Sequence, residues 1–229
     1  GASPQYFKGK IAEKNYQFVK FKTINLAEGG YAHVFVSNKT EKPTFADSDE
    51  KSLLPSSLLY IPVEMFSQDN TMKIGVECLG SCNYRLEYSL VNEIQLEDDA
   101  TIDVKIEDKK EKQIIYKVVD GLNKKILLTV TNGGNGWFNV ELDYGGRPIS
   151  FWRTLYNGFG GVIGADDYET FEPGTPLVIK ISATSYGDVF TVTSRLMEVD
   201  TLAKPTVIAP MDVMLSIVGD SDVEKECYK

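Results

Sequence analysis

The sequence predicts an all-β chain organised as two tandem β-sandwiches of jelly-roll-like or immunoglobulin-like type. Three observations carry that prediction. Many short stretches alternate apolar and polar residues with a period of two, the mark of a half-buried strand. Turn signals separate them at close spacing, and sustained helical periodicity is nearly absent. The pattern of residues 6–90 also returns over about 101–196. The boundaries follow: residues 1–97 form a first sandwich and 98–198 a second, with 199–229 a linker or tail, or the start of a further element.

In chain order, strands are expected on either side of a turn near Glu13–Asn15, with Tyr16 and Phe18 in the second. A Gly29-Gly30 turn leads into Tyr31–Val36, rich in β-branched and aromatic residues. Residues 37–57 are polar, contain Pro43 and Pro55, and read as a long loop with room for a short edge strand. Leu58–Ile61 resumes strand character, with Pro62 suggesting an edge. Ile74, Val76 and Cys78 alternate on one side of Leu79-Gly80-Ser81, and Tyr84, Leu86 and Tyr88 alternate on the other. This reads as a hairpin. The second half restates the plan in Thr101–Glu107, Ile114–Val118, Ile126–Val130 and Trp137–Leu142. It ends in a second expected hairpin over Leu177–Ile181 and Asp188–Arg195. Ile74 matches Ile179, and Leu86 matches Val192. Residues 144–173 between them read as a loop.

Each unit thus has a short apolar start, a charged turn, a Tyr- or Phe-bearing strand, a Gly turn and a closing pair. The last strand reads Asn-Tyr-Arg-Leu-Glu-Tyr in one copy and Asp-Val-Phe-Thr-Val-Thr in the other. This resembles the bacterial pre-peptidase C-terminal type of β-sandwich, in tandem copies. The chain departs from that family's Asp-x-Tyr-x-Phe core, which here reads Lys14-Asn15-Tyr16-Gln17-Phe18. The resemblance implies a jelly-roll-like accessory module without an active site.

Composition narrows the setting. Of 229 residues, 42% are hydrophobic, enough to fill a core. A net charge of −9 argues against a nucleic-acid partner, which draws on clustered Lys and Arg. No apolar run is long enough for a membrane-spanning helix. Gly1-Ala2-Ser3 reads as a trimmed end from which a leader could have been removed. In the hairpin reading Cys78 and Cys82 point to the core face opposite each other. A disulfide between them suggests an extracellular or lumenal compartment; Cys227 is left over. Asn38-Lys39-Thr40 is an N-glycosylation sequon, in weak agreement with secretion.

Catalytic patterns are missing. His33 is the single histidine and has no triad-like context. Acidic clusters at Asp47/Asp49/Glu50, Asp98/Asp99/Asp103, Asp166/Asp167 and Asp220/Asp222 carry hard oxygen ligands of the kind calcium takes, without EF-hand spacing. Asp166 and Asp167 are the best of these. No other cofactor is implied. Residues 144–173 concentrate aromatics, arginines and glycines, the composition of recognition surfaces. Arg147, Trp152, Arg153, Tyr156 and Asn157 are therefore the expected ligand-binding residues.

These readings point to a non-catalytic extracellular binding or adhesion segment of a larger secreted or membrane-anchored protein. Its partner would be a protein or glycan on a cell surface, with further domains of the same polypeptide beside it. The alternative is an accessory carbohydrate-binding module of a secreted hydrolase, with Trp152 and Tyr156 as stacking platforms. A second alternative is a structural spacer.

Overall fold

The computed structural model describes residues 4–12, 15–26, 30–52, 58–80, 83–98, 100–106, 112–119, 124–133, 136–156, 158–164, 167–168, 170–183 and 188–198; between 150 and 156 it describes the backbone alone. The fold is all-β, a jelly-roll β-sandwich architecture. The first half holds β1 (Gln5–Lys10), β2 (Phe18–Asn25), β3 (Tyr31–Ser37), β4 (Glu50–Lys51), β5 (Leu58–Pro62), β6 (Thr71–Leu79) and β7 (Tyr84–Val91), with a 3-10 turn over Val63–Phe66. The second holds β8 (Ile94–Gln95), β9 (Thr101–Ile106), β10 (Lys112–Val118), β11 (Lys124–Asn132), β12 (Trp137–Tyr144), β13 (Arg147–Tyr156), β14 (Gly158–Ile163), β15 (Pro176–Ala183) and β16 (Asp188–Glu198).

The described strands form three sheets. One has the order β1-β6-β3-β4, a second β13-β12-β15-β10-β8, and a third runs through both halves as β14-β11-β16-β9-β5-β2-β7. In the second half, β16 inserts between β9 and β11 while β15 inserts between β10 and β12. That double insertion is the jelly-roll pattern of two interlocked Greek keys. The first half repeats it: β6 inserts between β1 and β3, and β7 lies beside β2.

Both expected hairpins are corrected. β6 pairs with β1 and β3, whereas β7 pairs with β2 in the other sheet. β15 and β16 are likewise in different sheets. Alternation fixes which residues face the core but not which strand lies alongside, and a short crossover between sheets has the same sequence signature as a hairpin turn. The repeat is also shifted by one strand. β1 to β7 are equivalent in sheet position to β10 to β16, so β2, which begins at Phe18, answers to β11. β9 has no first-half counterpart among the described residues.

β5 is the shared wall. Leu58, Leu59, Tyr60 and Ile61 are all buried. Leu59 and Ile61 join a first core with Val19, Phe21, Val34, Val36, Met72, Ile74 and Val76. Leu58 and Tyr60 face the other way, into a second core with Ile102, Val104, Leu128, Phe138, Ile179 and Phe190. A continuous apolar run is what a strand buried on both faces requires. The two smaller sheets therefore cover opposite faces of the long one. Leu58 and Leu59 pair in parallel with Ile102 and Asp103 of β9, so β5 is interior and not the edge that Pro62 suggested. Pro62 sits at the strand's end, beyond β9, where its missing N–H is harmless.

Residues 144–173 are corrected as well: the expected loop contains β13 and β14. Pro148 and the glycines disguised them. β13 lies at a sheet edge, where proline is tolerated. Gly158 and Gly161 lie in β14, where Phe159 and Ile163 supply the buried positions.

Candidate functional site

Tyr144 and Arg147 are opposite one another across a two-residue hairpin loop, Gly145-Gly146, that joins β12 to β13. Both glycines have positive φ, 56° and 77°. A turn with two positive-φ residues matches the twist of the flanking strands, and side-chain-bearing residues rarely adopt it. A Cβ at either position would meet nothing within 4 Å, so it is φ and not crowding that requires glycine here.

Below this turn, the segment leading into β15 folds against the end of β12. The Tyr144 hydroxyl donates to the Glu172 carbonyl at 2.7 Å and accepts from the Glu172 N–H at 3.1 Å. The rings of Tyr144, Tyr168 and Phe171 pack together, with Tyr144 and Tyr168 4.6 Å apart edge to face and Tyr144 and Phe171 stacked at 6.0 Å. The Asp167 carboxylate accepts the Gly164 N–H at 2.7 Å, which closes the turn that presents Tyr168.

Between the turn and this segment lies a cleft of about 250 Å3, lined by Tyr144, Arg147, Ile149, Tyr168 and Glu172 among others. Tyr168 is among its lining residues, and the Tyr168 hydroxyl is buried with no hydrogen-bond partner among the described residues. Burial, with smaller contributions from Asp167 and Tyr144, pushes the Tyr168 phenol well above the ordinary tyrosine range. It therefore stays protonated and can act as a donor. An unsatisfied buried hydroxyl costs about 1–3 kcal/mol, which a ligand acceptor would relieve.

Of the residues expected from sequence to bind a ligand, Arg147 lines this cleft. Trp152, Arg153 and Tyr156 lie on β13, and their side chains, like all of Asn157, are outside the described residues. So is Asp166, while Asp167 is exposed and committed to the Gly164 turn. Among the described residues no three His, Cys, Asp or Glu side chains gather as a metal site. Asp99, Asp220 and Asp222 lie outside the described residues, and three of the other acidic groups have bonding roles in the fold. Asp49 accepts from Ser37 and the Asn38 N–H, Asp98 pairs with the buried Lys117, and the fully buried Asp103 accepts from Thr191 at 2.7 Å. Asn38 Nδ2, the atom that would carry a glycan, donates to the Met65 carbonyl at 2.6 Å. Cys78 is on β6 opposite Ala32, and Cys82 lies outside the described residues.

No family model matches the sequence, and no curated protein matches it. Several solved structures show a weak similarity to this chain, among them the following. The insecticidal delta-endotoxin Cry8Ea1 from Bacillus thuringiensis is 11% identical with a TM-score of 0.29, over 78% of this chain and 42% of the toxin chain. A peptide-N(4)-(N-acetyl-beta-D-glucosaminyl) asparagine amidase is 10% identical with a TM-score of 0.28, over 84% of this chain and 90% of its own. A Broad Bean Stain Virus chain is 11% identical with a TM-score of 0.29, over 80% and 76%. This chain spans less than half of the toxin chain. Likenesses at these scores have no bearing on what the chain binds or does.

Tyr144, Tyr168 and Glu172 were not singled out by sequence reasoning. A lone tyrosine carries no motif. The available signal was Gly145-Gly146 followed by Arg147, which marks a tight turn with a cation at its exit.

Proposed function

We propose that this chain is a non-catalytic binding module that holds a polar group of a glycan in the cleft between the β12–β13 turn and Tyr168. The observation that carries this reading is the buried, partnerless hydroxyl of Tyr168, a residue that lines the same cleft as Arg147. A sugar presents hydroxyls that accept from a phenol and a guanidinium. The backbone of edge strand β13, which carries Trp152, Arg153 and Tyr156, runs on from Arg147. An extracellular setting goes with this reading, as do a Cys78–Cys82 crosslink at the crossover between sheets and attachment to further domains of a secreted or surface-anchored protein. The resemblance to pre-peptidase C-terminal sandwiches supports an accessory role of this kind.

A glycan array probed with the wild-type chain, Tyr168→Phe and Arg147→Ala tests it. Retained folding with loss of a wild-type glycan signal in both variants is expected. Absence of any wild-type signal, or binding unchanged by Tyr168→Phe, sinks the proposal.

A further inference from the structure

The long sheet ends at β7, and among the described residues no strand pairs with that edge. Sheet edges are usually blunted, because their free N–H and C=O groups invite another strand. The other described edges are blunted. β4 and β8 are two residues long. β13 contains Pro148 and an irregular register. β1 carries Lys8 and Lys10, and β14 has three glycines among six residues. β7 has none of these devices. Its eight residues pair with β2 without a break and include no proline, glycine or lysine.

The ladder shows which groups face out. The Leu26 N–H donates to the Asn83 carbonyl at 2.7 Å, so Asn83 turns its backbone toward β2. Alternation turns the backbone groups of Arg85, Glu87 and Ser89 the same way, and those of Tyr84, Leu86 and Tyr88 outward. The side chains divide likewise. Tyr84 and Leu86 pack against the first core, and Tyr88 lies opposite the buried Phe21. Across from them is β1, reached by a hydrogen bond from the Tyr84 hydroxyl to Gln5 at 2.7 Å. Phe7 of β1 lies opposite the buried Ile74. Although both point inward, Tyr88 is 49% and Phe7 42% exposed. Arg85 and Glu87 lie on the other face and form an ion pair at 2.8 Å, still largely exposed.

We propose that β7 pairs antiparallel with β7 of a second copy of this chain, about a two-fold axis at Leu86. The charge pattern selects both the partner and the register. Directly opposed residues share a face, where opposite charges stabilise and like charges destabilise. With the axis at Leu86, Arg85 of each copy stands opposite Glu87 of the other, Tyr84 opposite Tyr88, and Leu86 opposite its own counterpart. An axis at Arg85 or at Glu87 would set like charges opposite each other. An axis at Tyr88 would set Arg85 against Val91 and Glu87 against Ser89. In the Leu86 register the outward backbone groups also match, since Leu86 exchanges both N–H···O=C bonds with its counterpart and Tyr84 does so with Tyr88. The axis is perpendicular to the sheet, so the two β1 strands lie on one side of it. The two openings lined by Phe7 and Tyr88 then face each other and close. The contact is isologous, so assembly stops at two copies.

The test uses the full chain, Arg85→Glu, Glu87→Arg and the double variant with both changes. Sedimentation over a range of concentrations and site-resolved amide exchange are the readouts, with circular dichroism as a control for folding. The wild-type chain should form a dimer, with protection of the Leu86 amide rising with concentration. Each single variant sets like charges opposite each other twice and should dimerise about tenfold more weakly or worse. An equimolar mixture of the two single variants restores both pairings and should give a heterodimer, and the double variant should dimerise with itself. A chain that is monomeric at every concentration, with an unprotected Leu86 amide, overturns the proposal. A dimer unaffected by the single variants places the contact elsewhere and also overturns it. Single variants that fail to associate, with no recovery in the mixture or the double variant, rule out the Leu86 register and the proposal with it.

Discussion

Tyr168 and Glu97 each support a prediction from a single side chain. Tyr168→Phe removes a hydroxyl that is buried without a partner, so the folded state should lose nothing and gain about 1 kcal/mol. Thermal melting should rise while glycan binding falls, a combination that loss of packing would not produce. Glu97 accepts from Lys20 at 2.9 Å, and that bond holds its carboxyl below the usual carboxylate range against some opposing desolvation. Such a group contributes stability above its unfolded pKa and loses it as pH falls through the lower folded value. Glu97→Gln should therefore lower stability at neutral pH and flatten the acid limb of a stability–pH profile below about pH 5, so that variant and wild type converge in acid. With half the side chain exposed, the effect should be small; an unchanged acid limb would show that the pair is fully screened. At this scale the sequence was partly legible. Arg147 was named from its Gly-rich, aromatic surroundings, but Tyr168 depends on a fold contact with Tyr144 from a distant strand, which no local pattern encodes.

At the level of elements, the loop between β3 and β4 is anchored by crowding. Gly75 lies on the outer face of β6, and a Cβ there would stand 2.2 Å from the Pro43 carbonyl oxygen. Lys73, next but one on the same face, donates to the carbonyls of Asn38 and Lys39. Gly75→Ala should lift the loop from the sheet and cost about 1–3 kcal/mol. Proteolysis of residues 38–49 should be faster in the variant, and unchanged cleavage would show that the loop yields without penalty. Most strands were legible because alternation survives wherever one face is buried. Partners were not legible: the stretch from Thr71 to Val91 has the same pattern whether it turns back on itself or crosses to the facing sheet. β13 and β14 were hidden by proline and glycine that an edge strand and a crowded sheet tolerate.

For the whole molecule, the question is whether the two halves unfold together. Sequence reading expected two separate sandwiches, and the repeat itself was visible because equivalent strands bury equivalent positions. The sharing of β5 was not, although Leu-Leu-Tyr-Ile without polar alternation is the signature of burial on both faces. Tyr60 concentrates the coupling. Its ring is buried in the second core, and its hydroxyl donates to the Gln95 carbonyl at 3.0 Å, while its neighbours Leu59 and Ile61 help close the first core. Tyr60→Ala should cost about 3 kcal/mol or more through cavity formation. Because β5 cannot leave one core and keep its place in the other, that cost should appear in both halves. Amide exchange then gives the decisive reading: protection of β3 and β6 should fall by the same factor as that of β12 and β15, within one cooperative unfolding transition. If β12 and β15 lose protection while β3 and β6 keep theirs, the shared strand does not couple the halves and they unfold as independent units.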